Sequence, residues 1–126
     1  MSSRSKNGNW NSRQLQFVDS KSVLLEMQLL LGRKWKLVLV YQLLESGSTR
    51  FNQLKRETDG ISSKVLSETL ADLVDAGLVE RTERLGTPTQ VEYALSERGR
   101  ALAPVIGAML EWGQDHVEGS ADRDYC

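Results

Sequence analysis

The sequence predicts a mostly helical α+β fold: a winged helix-turn-helix with added N- and C-terminal dimerisation helices. Three observations carry this expectation. The run from Gly60 to Gly77 is an amphipathic helix placed just after a short helix and a tight turn. Two alternating segments around a Gly/Pro break follow it directly, as in a β-hairpin. Apolar helical runs near both ends are wider than one small core can absorb. With 126 residues, 40% of them hydrophobic, the chain is read as one domain with a genuine core.

Residues 1–18 are a polar, aperiodic arm, expected to be flexible, with Arg4, Lys6 and Arg13 within reach of phosphates. Trp10 and Phe17 are unusual in such an arm and suit docking on the body or on a partner subunit. Residues 20–31, SKSVLLEMQLLL, read as a helix ended by Gly32. Val23, Leu24, Met27, Leu30 and Leu31 cannot all face one small core, so a subunit interface is expected on the second side. Residues 34–45, KWKLVLVYQLLE, are almost continuously apolar, and their period does not separate a buried strand from a buried helix. Their length and the Ser46-Gly47 stop favour the helix, with Trp35 as a core aromatic. Arg33, Lys34 and Lys36 sit at its N-terminus against the macrodipole, which suits either a nearby polyanion or a solvated basic turn. A short extended link, residues 49–51, leads into a brief helix, 52–57, with Leu54 inward and Lys55 and Arg56 outward.

In the central helix Leu66, Leu70 and Leu73 recur at helical spacing and Val74 widens the stripe. Ser62 is a suitable N-cap, and Gly77 takes the left-handed conformation past the end without a Cβ penalty. Ser63, Lys64, Ser67, Glu68 and Asp75 occupy the opposite face, where Glu68 either accepts from a cytosine amino group or, as favoured here, pairs with Lys64 within the helix. Short hydroxyls and one lysine at a helix start suit base edges and phosphates. Standing alone, such a face is ordinary solvated surface. The alternating segments 78–85 and 90–95 then change the reading, with Val91, Tyr93 and Leu95 on one face and Arg81 and Arg84 climbing towards the tip. Arg50, Lys55 and Arg56 become phosphate candidates in that context. Ser96 caps a last helix from Glu97 to about Val117, with a stripe of Leu102, Val105, Ile106, Met109, Leu110 and Gly113 and a bend expected at Pro104. The stripe lies beyond the winged core, so a partner chain is expected to cover it. The domain therefore spans 19–118, and residues 119–126 form an acidic tail.

Composition narrows the chemistry. Cys126 is the only cysteine and His116 the only histidine, so neither an intrachain disulfide nor a Cys- or His-based metal site fits. No cofactor is expected. No nucleophile–base pair, Gly-rich phosphate loop or carboxylate cluster is present, and catalysis is not expected. No apolar run is long enough to span a membrane and the N-terminus lacks an apolar signal segment, so a cytoplasmic protein is expected. The net charge of −1 is unevenly distributed. Residues 33–84 carry nine Lys/Arg against eight Asp/Glu, whereas residues 85–126 carry three against seven. Acid held away from an anionic ligand is compatible with binding it.

The strings from Gly32 to Arg81 and from Thr87 to Gly99, followed by EWGQDH, resemble the HxlR-type family of bacterial and archaeal regulators. The elements Gly-x-Lys-Trp, Arg-Phe-Asn-x-Leu, Gly-Ile-Ser and Val-Glu-Tyr in this order carry the resemblance, over roughly residues 22 to 117. It implies a winged-helix homodimer joined through its first and last helices and acting on transcription from a promoter. It also implies that Ser62, Ser63, Lys64 and Ser67 lie at the DNA-facing start of the recognition helix, with Arg81, Arg84 and Thr87 on or near the wing. Many family members carry a cysteine at the start of the first helix; Ser22 stands at about that place here.

The expected function is a sequence-specific transcription regulator, a homodimer on a pseudo-palindromic site of double-stranded DNA. The expected interface is Leu24, Met27, Leu30 and Leu31 with Ile106, Met109, Leu110 and Trp112. The alternative is a winged-helix module that binds proteins without reading DNA. A thiol switch is not expected. Control falls either to a small apolar or aromatic effector at the dimer seam, near Trp35 or Trp112, or to protein abundance alone.

Overall fold

Leucines at helical spacing set the architecture, because their side chains make up most of the buried core. The structure is a computed structural model and describes residues 19–117, so the expected arm and acidic tail lie outside the described residues. The chain divides into two units, residues 1–34 and 35–126.

In the first unit, α1 spans Ser20–Leu31. Asp19 caps it, its carboxylate accepting from the Lys21 N–H at 3.2 Å and the Ser22 hydroxyl at 2.9 Å. Leu24, Leu25 and Leu29 are exposed on this helix.

The second unit holds α2 (Lys36–Ser46), α3 (Phe51–Glu57), α4 (Ser63–Asp75), β1 (Val79–Arg84), β2 (Gln90–Leu95), α5 (Glu97–Arg100) and α6 (Ala103–His116). The ambiguous apolar run is thus a helix. Its centre is buried through Leu39, Val40 and Leu43. Trp35 sits at its N-cap, half-buried rather than enclosed, and Lys36 is only 7% exposed, although it was grouped with the exposed basic turn. Leu54 of α3 and Leu66, Leu70 and Leu73 of α4 complete the core with Ile61, Leu78, Leu95 and Ile106. Burial of this many aliphatic side chains, at about 25 cal/mol per Å² of apolar surface, is what holds three short helices around a two-stranded sheet.

β1 and β2 pair antiparallel from Val79↔Leu95 to Arg84↔Gln90. The link before α3 adds a third, one-residue strand. Thr49 and Tyr93 exchange both backbone bonds, at 2.9 and 2.7 Å, and so fix the start of α3 to the wing. The architecture is a mostly helical winged helix-turn-helix.

The expected single helix from Glu97 to Val117 is two helices. It breaks at Ala101 and Leu102, and Pro104 stands in the first turn of α6. The position suits proline, because a proline in a first turn lacks only an N–H that has no intrahelical acceptor.

Candidate nucleic-acid interface

The site is built on the first turns of α4. Ser62, extended at φ −82° and ψ 161°, accepts the Val65 N–H on its hydroxyl at 3.1 Å. This satisfies an orphan donor and sets the helix start. Thr69 turns inward and its hydroxyl donates to the Val65 carbonyl at 2.7 Å. With Leu66, Leu70 and Leu73 buried on that side, Ser63, Lys64, Ser67 and Glu68 are left exposed. The expected Lys64–Glu68 ion pair does not form; the two ion pairs among the described residues are both in the wing. An exposed i,i+4 pair gains only about 0.3–0.5 kcal/mol, little enough for side-chain entropy to cancel. Lys64 is exposed and in neither of these ion pairs.

On the helix before it, Lys55 and Arg56 are exposed in the last turn of α3. Arg50 occupies the N-cap position of α3 and donates to the Gln90 side-chain oxygen, which couples the helix to the wing. Glu92 strengthens the same junction. It accepts from the Ser48 hydroxyl at 3.0 Å and lies 3.5 Å from Arg84. A cleft of about 770 Å³ opens between residues 48–53 with Arg56 on one side and 88–92 on the other. Thr87 is exposed in the wing loop, and Leu85 beside it is 90% exposed at the tip. The Leu85 position and the Gln90 and Glu92 contacts were not anticipated, since cross-element side-chain pairs leave no period in the sequence.

Arg81 differs from Arg84 in its surroundings. Its guanidinium donates to Glu83 at 2.9 Å, and it lines a second cleft of about 370 Å³ with Tyr93 and with Ser67, Ala71, Val74 and Asp75 of α4. The Glu83 side chain first, then Tyr93, holds its pKa above the ordinary arginine value, so the charge persists at any working pH. The structure therefore brings Arg50, Lys55, Ser62, Ser63, Lys64, Ser67, Arg84 and Thr87 to exposed positions on α3, α4 and the wing. It places Arg81 at the junction between α4 and the hairpin.

The expected interface residues fall into two groups. On α6, Met109, Leu110 and Trp112 are 49%, 48% and 61% exposed, and Trp112 carries the His116 ring stacked at 4.7 Å. Ile106, at 6% exposed, is buried within the single chain. On α1, Leu24 is exposed, Met27 and Leu30 are half-buried and Leu31 is buried within the single chain. Among the described residues no group of His, Cys, Asp and Glu is placed to hold a metal ion, and no helix is long and apolar enough to cross a membrane.

A capped helix with a polar exposed start, preceded by a short helix and followed by a β-hairpin that carries Arg81 and Arg84, is the winged helix-turn-helix arrangement. A family model described as HxlR-like helix-turn-helix matches residues 30–121, and the chain belongs to that family of transcriptional regulators. It is 44% identical over 84 residues to the HTH-type transcriptional regulator YdzF of Bacillus subtilis, covering 67% of this chain and 77% of that one. The HTH-type regulator BH0655 of Halalkalibacterium halodurans is 42% identical over 84 residues, 67% of this chain and 74% of that one. Among solved structures, the redox regulator HypR in its oxidized form superposes with a TM-score of 0.70 at 33% identity, covering 81% of this chain and 98% of that one. The reduced form of YodB from B. subtilis gives 0.67 at 31% identity, covering 80% and 95%.

Proposed function

We propose that this regulator binds double-stranded DNA as a homodimer in the cytoplasm and reads a pseudo-palindromic promoter site. Each α4 would enter a major groove with its N-terminal turns, while α3 and the wing grip flanking phosphates. The observation that carries the reading is the first two turns of α4. There Ser63, Lys64 and Ser67 are exposed, with no side-chain hydrogen bond or ion pair among the described residues, and Arg50, Lys55 and Arg84 are exposed at the N-cap of α3, on α3 and on β1. In this arrangement Lys64 and Ser67 meet base edges, while Arg50, Lys55, Arg84 and Thr87 hold the backbone.

The dimer would form through the exposed faces of α1 and α6. Its signal is proposed to be a small apolar or aromatic molecule near Trp35 or Trp112, with control by protein abundance alone as the alternative. Ser22 supports a trigger other than a thiol in α1, because its hydroxyl is bonded to the helix cap.

The test is a titration of the full chain on a selected promoter fragment and on random DNA across a salt series. Neutralised phosphates make affinity fall steeply with salt, by a slope of about 0.9 per contact. Arg84→Ala is expected to weaken both DNAs alike and to lower that slope by about one. Affinity that does not change with salt would refute the reading and leave protein binding as the function.

A further inference from the structure

The C-terminal end of α4 is held from outside its own helix. An α-helix leaves its last carbonyls without intrahelical donors. Gly77, at φ +78°, turns the chain left-handed, and the Gly77 and Leu78 N–H groups close the last turn on Val74 and Leu73 at 2.9 and 3.0 Å. The carbonyls of Ala76, Gly77 and Leu78 are met by the start of α5. Arg98 Nη1 donates to the Ala76 carbonyl at 2.9 Å, the Ser96 hydroxyl to that of Gly77 at 2.6 Å, and the Ser96 N–H to that of Leu78 at 3.0 Å. The fit leaves no slack: a Cβ added to Gly99 would lie 2.2 Å from the Leu78 oxygen.

On its other side α5 runs into α6 through two helical turns, Leu102 N–H to Gly99 at 3.0 Å and Ile106 N–H to Leu102 at 2.9 Å. The reading helix and the exposed apolar helix therefore meet at one joint. Arg98 is the exposed member of that joint, a cation at the negative end of α4.

We infer that Arg98 is a positioning residue: its bond to Ala76 fixes the angle between α4 and α6, and with it the half-site separation that the dimer reads. The inference rests on the proposed dimeric reading of DNA. Geometry gives the bond its leverage. A helix of 13 residues is about 20 Å long, so a swing of roughly 10° about its C-terminal end moves its N-terminal turn by about 3.5 Å. That is close to the rise of one base pair, about 3.4 Å. A dimer whose recognition helices swing that far no longer prefers one half-site spacing over the next.

The experiment uses the full chain on duplexes that carry two copies of a half-site, selected by the wild type from random DNA, with the separation varied in single base-pair steps. Wild type is expected to show one optimum and a loss of about fivefold at each neighbouring step. Arg98→Ala should lower the optimum by about five- to tenfold and flatten the profile to within about twofold, with the melting temperature and mass of the dimer retained. Arg98→Lys keeps a charged donor within reach and should restore the peak. An Arg98→Ala profile that keeps the wild-type shape, at whatever affinity, overturns the inference, since a purely structural contact weakens all spacings alike. A wild-type profile with no optimum overturns the two-half-site reading itself, and the inference with it; the two failures appear in different proteins.

Discussion

α4 and α6 are both amphipathic, and the chain disposes of their apolar faces differently. α4 buries Leu66, Leu70 and Leu73 to 1% exposure or less, and apart from Ala71 its fully exposed side chains are polar. α6 buries Ile106 alone to a comparable degree and leaves Met109, Leu110 and Trp112 about half exposed. A helix whose apolar stripe is absorbed by its own chain is oriented by that chain alone, and its other face is available to a ligand. A helix with its stripe half exposed presents a surface that a partner completes.

The largest expected effect breaks the α4 side of this contrast. Leu70→Ala removes a side chain with essentially no alternative packing and should cost about 2–5 kcal/mol, read as a lowered midpoint in urea denaturation. An unchanged midpoint would mean that α4 is not anchored by this stripe. Leu110→Glu tests the other side. It places a charge at a half-exposed site of the proposed seam, so light scattering should give the monomer mass while circular dichroism keeps its helical signal. A well-folded dimer would show that α6 faces solvent. A smaller effect sharpens the comparison at the helix start: Ser62→Ala removes the cap on the Val65 N–H and should cost about 1 kcal/mol of stability in the same urea assay. The smallest concerns the lone thiol. Cys126→Ser and wild type should bind DNA equally with and without diamide, because no second cysteine exists to form an intrachain disulfide. Release of wild type alone by diamide would make the tail thiol the sensor.

The same contrast explains which parts of the fold the residues disclosed. α4 was legible to the residue because three leucines at helical spacing give a phase, while Ser62 and Gly77 mark its ends by chemistry that few other residues share. The hairpin was legible from alternation around a Gly/Pro loop. α1 was found with its bounds, but in LLEMQLLL almost every position is apolar and the phase is lost. Leu25 and Leu29, among its most exposed side chains, were therefore not picked out. The break between α5 and α6 was missed because Pro104 fits both a kinked helix and the first turn of a new one. Lys36 was read as a surface charge by type, whereas its place one residue into α2 buries it. The Thr49–Tyr93 pairing and the Arg50–Gln90 and Ser48–Glu92 bonds join residues forty or more positions apart. No local pattern encodes such contacts. The candidate site follows the same division: its helix start could be read from spacing, its ties to the wing could not.

The central claim is that the start of α4 reads sequence while the wing supplies grip. The most direct measurement compares the affinity of wild type and Lys64→Ala for a selected promoter fragment and for random DNA at one fixed salt concentration. Lys64→Ala is expected to lose about 1–3 kcal/mol on the selected fragment and much less on random DNA, so the ratio between them falls by about fivefold or more. An equal loss on both DNAs would contradict the claim and reassign Lys64 to the phosphate backbone.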